Sequence, residues 1–461
     1  MNGAPELQIN AWLPGTLRAA RGAPSPHLDD WTIRERGTLP PHEVLYAKEE
    51  PDLKDWRQAG WGVVLPDDDD LDDRQRAEAT DAPAAVRDLL DHRDGAPVLR
   101  YRPELGSAYF MLCERGQEAR KVKTAGGELG PDARQLPHYL LIVASPEQIP
   151  WRIQYVLNAT HFVGRLDLDD VGLRHYVSAL IDGWPGSTAS RRTAITWSVD
   201  WGEADITWLM RHGLAEKLAA KYREDVDVTN AIHLAQDDAT LDKLLAALGR
   251  QPGVIVTTSH GATPVDSPPE QVRAALGRPV DQSGDVLGAE MIDRWEPQGA
   301  IWYAHACCSA GADATTVYDR VAAPGSEVDR VLQGVAAKAG ARTAPLPRQL
   351  LGCVSPLRAF VGHVEPTFNW TLRDPVNGQL LTSSLVKTLY NGLYQPQSEP
   401  IGYALSRHYE PVGGLWSDWA TDRDRINGGD DAELPKALTE RLTALDRQSL
   451  VILGDPTVAV P

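Results

Sequence analysis

Short apolar runs rich in β-branched and aromatic residues recur along the chain, each cut off by glycine, proline or a polar cluster. They read as buried strands. The strongest are Gly60-Trp-Gly-Val-Val-Leu65, Tyr139-Leu-Leu-Ile-Val-Ala144, Ala194–Val199, Val254–Thr258, Ala300–Ala306 and Leu450-Val-Ile-Leu453. Weaker ones lie at Val98–Arg102, Ser107–Leu112 and Thr160–Leu166. Between them the apolar positions shift to helical spacing. Val86, Leu89 and Leu90 mark a helix over Ala82–His92, and Leu173, Tyr176, Val177, Leu180 and Ile181 mark one over Val171–Trp184, stopped by Pro185-Gly186. Further helices are expected at Ile206–Tyr222, Thr240–Leu248 (with Asp238 as its cap), Gly288–Trp295, Glu327–Gly340, Ser383–Gly392 and Pro435–Leu445. Strand and helix in alternation predict an α/β fold: a mostly parallel sheet flanked by helices on both faces.

The pattern also has gaps. Residues 1–60 are rich in Pro, Gly and Trp and predict a loop-rich entry with short strands. Residues 116–135 and Trp416–Glu433 read as polar loops, and Leu350-Leu-Gly-Cys353-Val and Ala359–Gly362 as strand-like segments. Gly261–Leu287 is too long for a plain connection and is expected to be a binding loop. The small, polar stretch Pro185–Arg192 predicts a boundary. It divides the chain into a smaller N-terminal α/β subdomain, 1–190, and a second unit, 191–461.

Composition narrows the function. The chain has 461 residues, 42% hydrophobic with 14 Trp, which supplies ample core. Its formal charge of −18 argues against nucleic acid or an anionic membrane surface as partner, since both need basic surface. Asp67–Asp70 with Asp72 and Asp73 lacks the spacing and glycine of a calcium loop and reads as a solvated charge run. Four cysteines, Cys113, Cys307, Cys308 and Cys353, form no disulfide framework in a chain this long. The first residues lack a basic start and an apolar stretch, and no run approaches a membrane span, so a cytoplasmic protein is expected.

Two of the strands end in reactive groups: Val254–Thr258 runs into Ser259-His260-Gly261, and Ala300–Ala306 into Cys307-Cys308-Ser309-Ala310-Gly311. Ligands of an open parallel sheet sit outside the carboxyl ends of its strands. Were the two strands neighbours, a thiol and an imidazole would meet at one rim, the minimum for thiol-based acyl transfer. The oxyanion needs two donors, and the backbone N–H groups of Gly261 and of Cys308 fit that role. A metal site using His260, His305, Cys307 and Cys308 is disfavoured, because one strand cannot wrap its ligands into a tetrahedron. No metal or other cofactor is expected.

Ser-His260-Gly, and the apolar run into Ala-Cys-Cys-Ser-Ala-Gly, resemble the two motifs of the caspase-like (clan CD) cysteine peptidases. The gingipain-like family C25 is nearest, through Tyr139–Pro150, Phe162–Leu166 and Ile452–Thr457, with similarity to CHAT-domain proteases as well. The resemblance covers roughly residues 136–461. It implies a caspase/haemoglobinase-like sheet, a second unit that is catalytic, a protein or peptide substrate, and a Cys–His dyad working through a thioester. The alternative is an inactive member of that fold binding a peptide or partner. Cys-x-x-Gly selects Cys308 as nucleophile and Ala-Cys selects Cys307; Cys308 is preferred, and both stay open. Asp200, Glu203 and Asp205 lie where the family places acids that orient the histidine or line the substrate pocket. The oligomeric state is not legible.

Overall fold

The computed structural model describes residues 7–13, 18–22, 52–124, 127–319, 321–373, 378–394, 398–427 and 434–461. The expected loop-rich entry lies mostly outside them. Met1–Glu50 and Pro51–Pro461 are two compact units. In the first, β1 (Leu7–Leu13) and β2 (Arg18–Gly22) pair antiparallel.

The second unit is organised by one sheet. Its earlier strands are β3 (Trp61–Pro66), β4 (Val98–Tyr101), β5 (Tyr109–Cys113), β6 (Arg120–Lys123), β7 (Tyr139–Val143) and β8 (Phe162–Leu166). Then come β9 (Ser190–Ser198), β10 (Asn230–Ala235), β11 (Pro252–Thr258) and β12 (Ile301–His305). A small antiparallel pair, β13 (Gly311–Ala312) and β14 (Arg342–Thr343), stands apart, and β15 (Ala359–His363) and β16 (Leu450–Gly454) complete the sheet. Among the described residues it has twelve strands, in the order β10-β9-β11-β12-β15-β16-β8-β7-β3-β4-β5-β6.

This α/β sheet is mostly parallel, with antiparallel pairing, among the described residues, only at β15/β16, β4/β5 and β5/β6. Antiparallel pairing of β15 with β16 splits it into two parallel halves running in opposite directions, whose carboxyl ends face opposite rims. The expected boundary at 190 falls at the first residue of β9, and β8 and β9 lie in different halves of this one sheet. Strands β8, β11, β12, β15 and β16 are buried at every position, which is why β11, β12 and β16 read as strong apolar runs, while β8 buries Arg165 within its run. One hydrophobic cluster joins Trp61 and Leu141 of one half to Ile255, Trp302 and Phe360 of the other through Ile452.

The helical spacing holds at Ala84–His92, Asp170–Asp182, Leu241–Leu248 and Glu327–Ala339. Four local expectations change. Leu350–Gly352 closes a helix, Pro345–Gly352, whose prolines sit in the first turn, where no amide donor is required. Most of the expected polar loop at Trp416 belongs to the helix Ile401–Asn427, which carries Pro411 internally. Packing against the helix Leu434–Ser449, with Trp416 beside Leu442 and Leu445, outweighs the lost hydrogen bond. Thr240, not Asp238, caps Leu241–Leu248, and Asp238 pairs with Lys243 instead. Residues 120–123, within an expected loop, form edge strand β6.

Candidate functional site at the β11–β12 rim

β11 and β12 are parallel neighbours, in register from Val254↔Ile301 to Thr258↔His305. The residues following each strand therefore emerge side by side. Gly261 lies so close to the second segment that a Cβ there would fall 2.0 Å from the Cys307 carbonyl oxygen. Any other residue at 261 would push the two motifs apart.

The extended strand stops at His305, before the cysteine doublet. Ala306–Ser309 is a reverse turn closed by the Ser309 N–H on the Ala306 carbonyl at 3.3 Å, with Cys308 in the left-handed region at φ 56°. The turn gives the two thiols different surroundings. Cys307 is partly exposed and lines a cavity of about 510 Å³ together with His260 and Gly261. Cys308 is fully buried in a cluster with Val272, Leu276, Ala312, Val335 and Ala339, its carbonyl against Gly277. The structure thus brings His260 together with Cys307 and sets Cys308, the cysteine preferred on the Cys-x-x-Gly pattern, within the core.

Burial raises the Cys307 thiol above its ordinary value, opposed by the backbone N–H of Thr367. Burial pushes the Cys308 thiol much further up, with Cys307 and Glu365 adding to it. Neither the Gly261 nor the Cys307 N–H donates to a backbone carbonyl among the described residues.

The three acids after β9 part company. Asp205 caps the short helix Ile206–Met210 and sets both carboxylate oxygens 3.0 Å from His260 Nε2. Burial drives its carboxyl up, but the Thr207 hydroxyl and N–H, then His260, outweigh that and hold it below the ordinary carboxylate range. The pair is half-open, with the His260 side chain 31% and the Asp205 side chain 28% exposed. Asp200 is taken by Arg211 at 2.8 Å. Glu203 lines the cavity but is exposed.

Several contributors carried no sequence signal. Trp201 lies against the imidazole, ring centroids 5.0 Å apart. Thr207 fixes Asp205 from two residues on, and the Asp-x-Thr spacing was the available cue that would have separated this acid from the other two. The segment after β15 supplies the opposite wall with Pro366, Thr367 and Phe368. Just before it, Glu365 accepts from Thr316 Oγ1 at 3.1 Å and from the Val317 N–H at 3.3 Å. Burial raises its carboxyl to about 7, against those two bonds. Beneath the rim His305 is buried, its Nδ1 2.8 Å from the Tyr303 hydroxyl, and burial lowers it to about 4. Among the described residues no group of three or more His, Cys, Asp or Glu is arranged to hold a metal ion, and no helix is long and apolar enough to cross a membrane.

No family model and no curated protein matches the chain. Among solved structures, one described as "Structure of Protease" is similar at TM-score 0.45 and 9% identity, over 87% of this chain and 78% of that one. The complex of Porphyromonas gingivalis RgpB pro- and mature domains is similar at TM-score 0.39 and 12% identity, over 70% of this chain and 65% of that one.

Proposed function

We propose that the protein is a cysteine endopeptidase in which Cys307 is the nucleophile, His260 the general acid and base, and Asp205 the group that orients the imidazole. The observation that carries this reading is the shared cavity: one thiol, one imidazole and one carboxylate hydrogen-bonded to that imidazole open into it from adjacent strand ends. Since Nε2 of His260 faces Asp205, Nδ1 is the nitrogen left for the thiol. A thiol held neutral by burial attacks only as its proton leaves, so His260 removes that proton while the sulfur–carbon bond forms. The proton then passes to the departing amine, and water, activated by the same imidazole, hydrolyses the thioester. The oxyanion is assigned to the N–H groups of Gly261 and Cys307, with Cys307 replacing the Cys308 N–H expected from the motif. Asp200 drops out of substrate binding because Arg211 occupies it. Glu203 remains as a rim residue.

The test is mass-spectrometric mapping of iodoacetamide labelling on the full chain, alongside peptide turnover by Cys307→Ser and Cys308→Ser. The reading requires label on Cys307 and loss of turnover in Cys307→Ser alone. Full turnover in Cys307→Ser rejects it.

A further inference from the structure

Resting on that reading, we infer that the residue preceding the scissile bond carries a large apolar side chain, leucine- or phenylalanine-like, and not a basic one. The cavity that Cys307 and His260 open into is walled by Ile206, Leu209, Val328, Val331, Leu332 and Phe368. The helix Glu327–Ala339 supplies three of these, since Val331 and Leu332 each lie about one turn from Val328. Val328 is 47% exposed, an apolar side chain beside the site with solvent over nearly half its surface. A substrate side chain seated here removes that surface from water.

The carboxylates nearby do not form a cation pocket. Asp200 is neutralised by Arg211, and Asp205 is engaged by Thr207 and His260. Glu203 and Glu327 line the cavity but are exposed, where water screens their attraction for a lysine or arginine. Among the described residues no carboxylate stands desolvated between the six apolar walls to offset the cost of burying a cation there. Burial of apolar surface stabilises in proportion to the area removed from water, and against these walls it outweighs that screened attraction.

The probe is a series of peptidyl chloromethyl ketones that differ only in the residue next to the ketone: Phe, Leu, Lys, Arg or Asp. Each alkylates a positioned thiol, forming a sulfur–carbon bond and releasing chloride, with iodoacetamide as the non-peptidic control. The Phe and Leu reagents should alkylate Cys307 about ten-fold or more faster than Lys or Arg. Val328→Asp, at an exposed position where folding is not at stake, should narrow that gap about ten-fold. Equal or faster alkylation by Lys or Arg overturns the apolar preference and leaves the thiol chemistry standing. Labelling by iodoacetamide without labelling by any peptidyl reagent also overturns it, again leaving a reactive thiol. Failure of every reagent to modify Cys307 overturns both this inference and the peptidase reading.

Discussion

The two halves of the sheet are built by the same rule, and of their two rim cavities, among the described residues, one is lined by both a thiol and an imidazole. At the carboxyl ends of β3, β7 and β8 there is a cavity of about 420 Å³ bordered by Asp67, Asp68, Asp81 and Asp167, a denser set of acids than at the β11–β12 rim. Two of its four acids, Asp67 and Asp81, are held by arginines. The Asp67 side chain is buried and held by both Arg76 and Arg102. Arg100, fully buried, meets both oxygens of Asp81 at 2.7 and 2.8 Å and the Pro66 carbonyl at 2.9 Å. Arg165 donates to Gln154 and to the Ala144 carbonyl, stacked on Trp151. At the β11–β12 rim, by contrast, a hydrogen-bonded imidazole–carboxylate pair stands partly exposed beside a thiol. Charge density alone does not distinguish a site; what distinguishes this rim is a partly exposed thiol sharing a cavity with a partly exposed imidazole–carboxylate pair.

The contrast can be broken most forcefully at the thiols. Cys307→Ala is expected to lower kcat/KM by about a thousand-fold or more, while Cys308→Ala stays within about ten-fold and lowers the melting temperature instead. Steady-state kinetics and thermal unfolding on the same preparations separate the two. In the opposite half, Arg100→Ala should cost about 1–3 kcal/mol in urea unfolding, because it leaves the Pro66 and Arg76 carbonyls without their buried donor. Its kcat per folded molecule should be unchanged; a fall in kcat would show the halves to be coupled. Asp205→Asn should leave stability nearly intact and reduce kcat about a hundred-fold through loss of imidazole orientation, with KM little moved.

The smallest effect concerns pH. Glu365, raised by burial from an ordinary 4.5 to about 7, binds its proton more tightly in the folded state than in the unfolded one. Its stabilising contribution is therefore complete below 4.5 and is lost as pH rises toward about 7. Above that the loss is constant, at most about 3 kcal/mol. Glu365→Gln should flatten urea-unfolding stability across that window, and an unchanged slope would assign the dependence to other groups.

How much of this was legible in the sequence depends on the range of the forces involved. The strands were readable because burial on both faces writes itself as apolar runs, and β11 and β12 were the two that ended in His260 and the cysteine doublet. The choice between the thiols was not readable. It turns on one backbone angle at Cys308, set where Gly277 approaches its carbonyl from about thirty residues upstream. Among the three acids, Asp205 differs from Asp200 only through its partners: Thr207 and His260 in one case, Arg211 in the other. Pro345–Gly352 and the helix through Pro411 were hidden by prolines whose cost is removed, respectively, by position and by packing.

Strand β16 has a kinetic meaning as well. Among the described residues it is the only strand bridging the halves, pairing Ile452 with Gly164 on one side and Phe360 with Leu453 on the other. While the chain is being synthesised, β8 is complete long before Leu450 leaves the ribosome, so its inner edge waits unpaired through most of translation. Such an edge is a template for pairing with other chains, and contacts this distant in sequence form slowly. The seam that makes one sheet of two halves is therefore also the step at which folding is most exposed to misassembly.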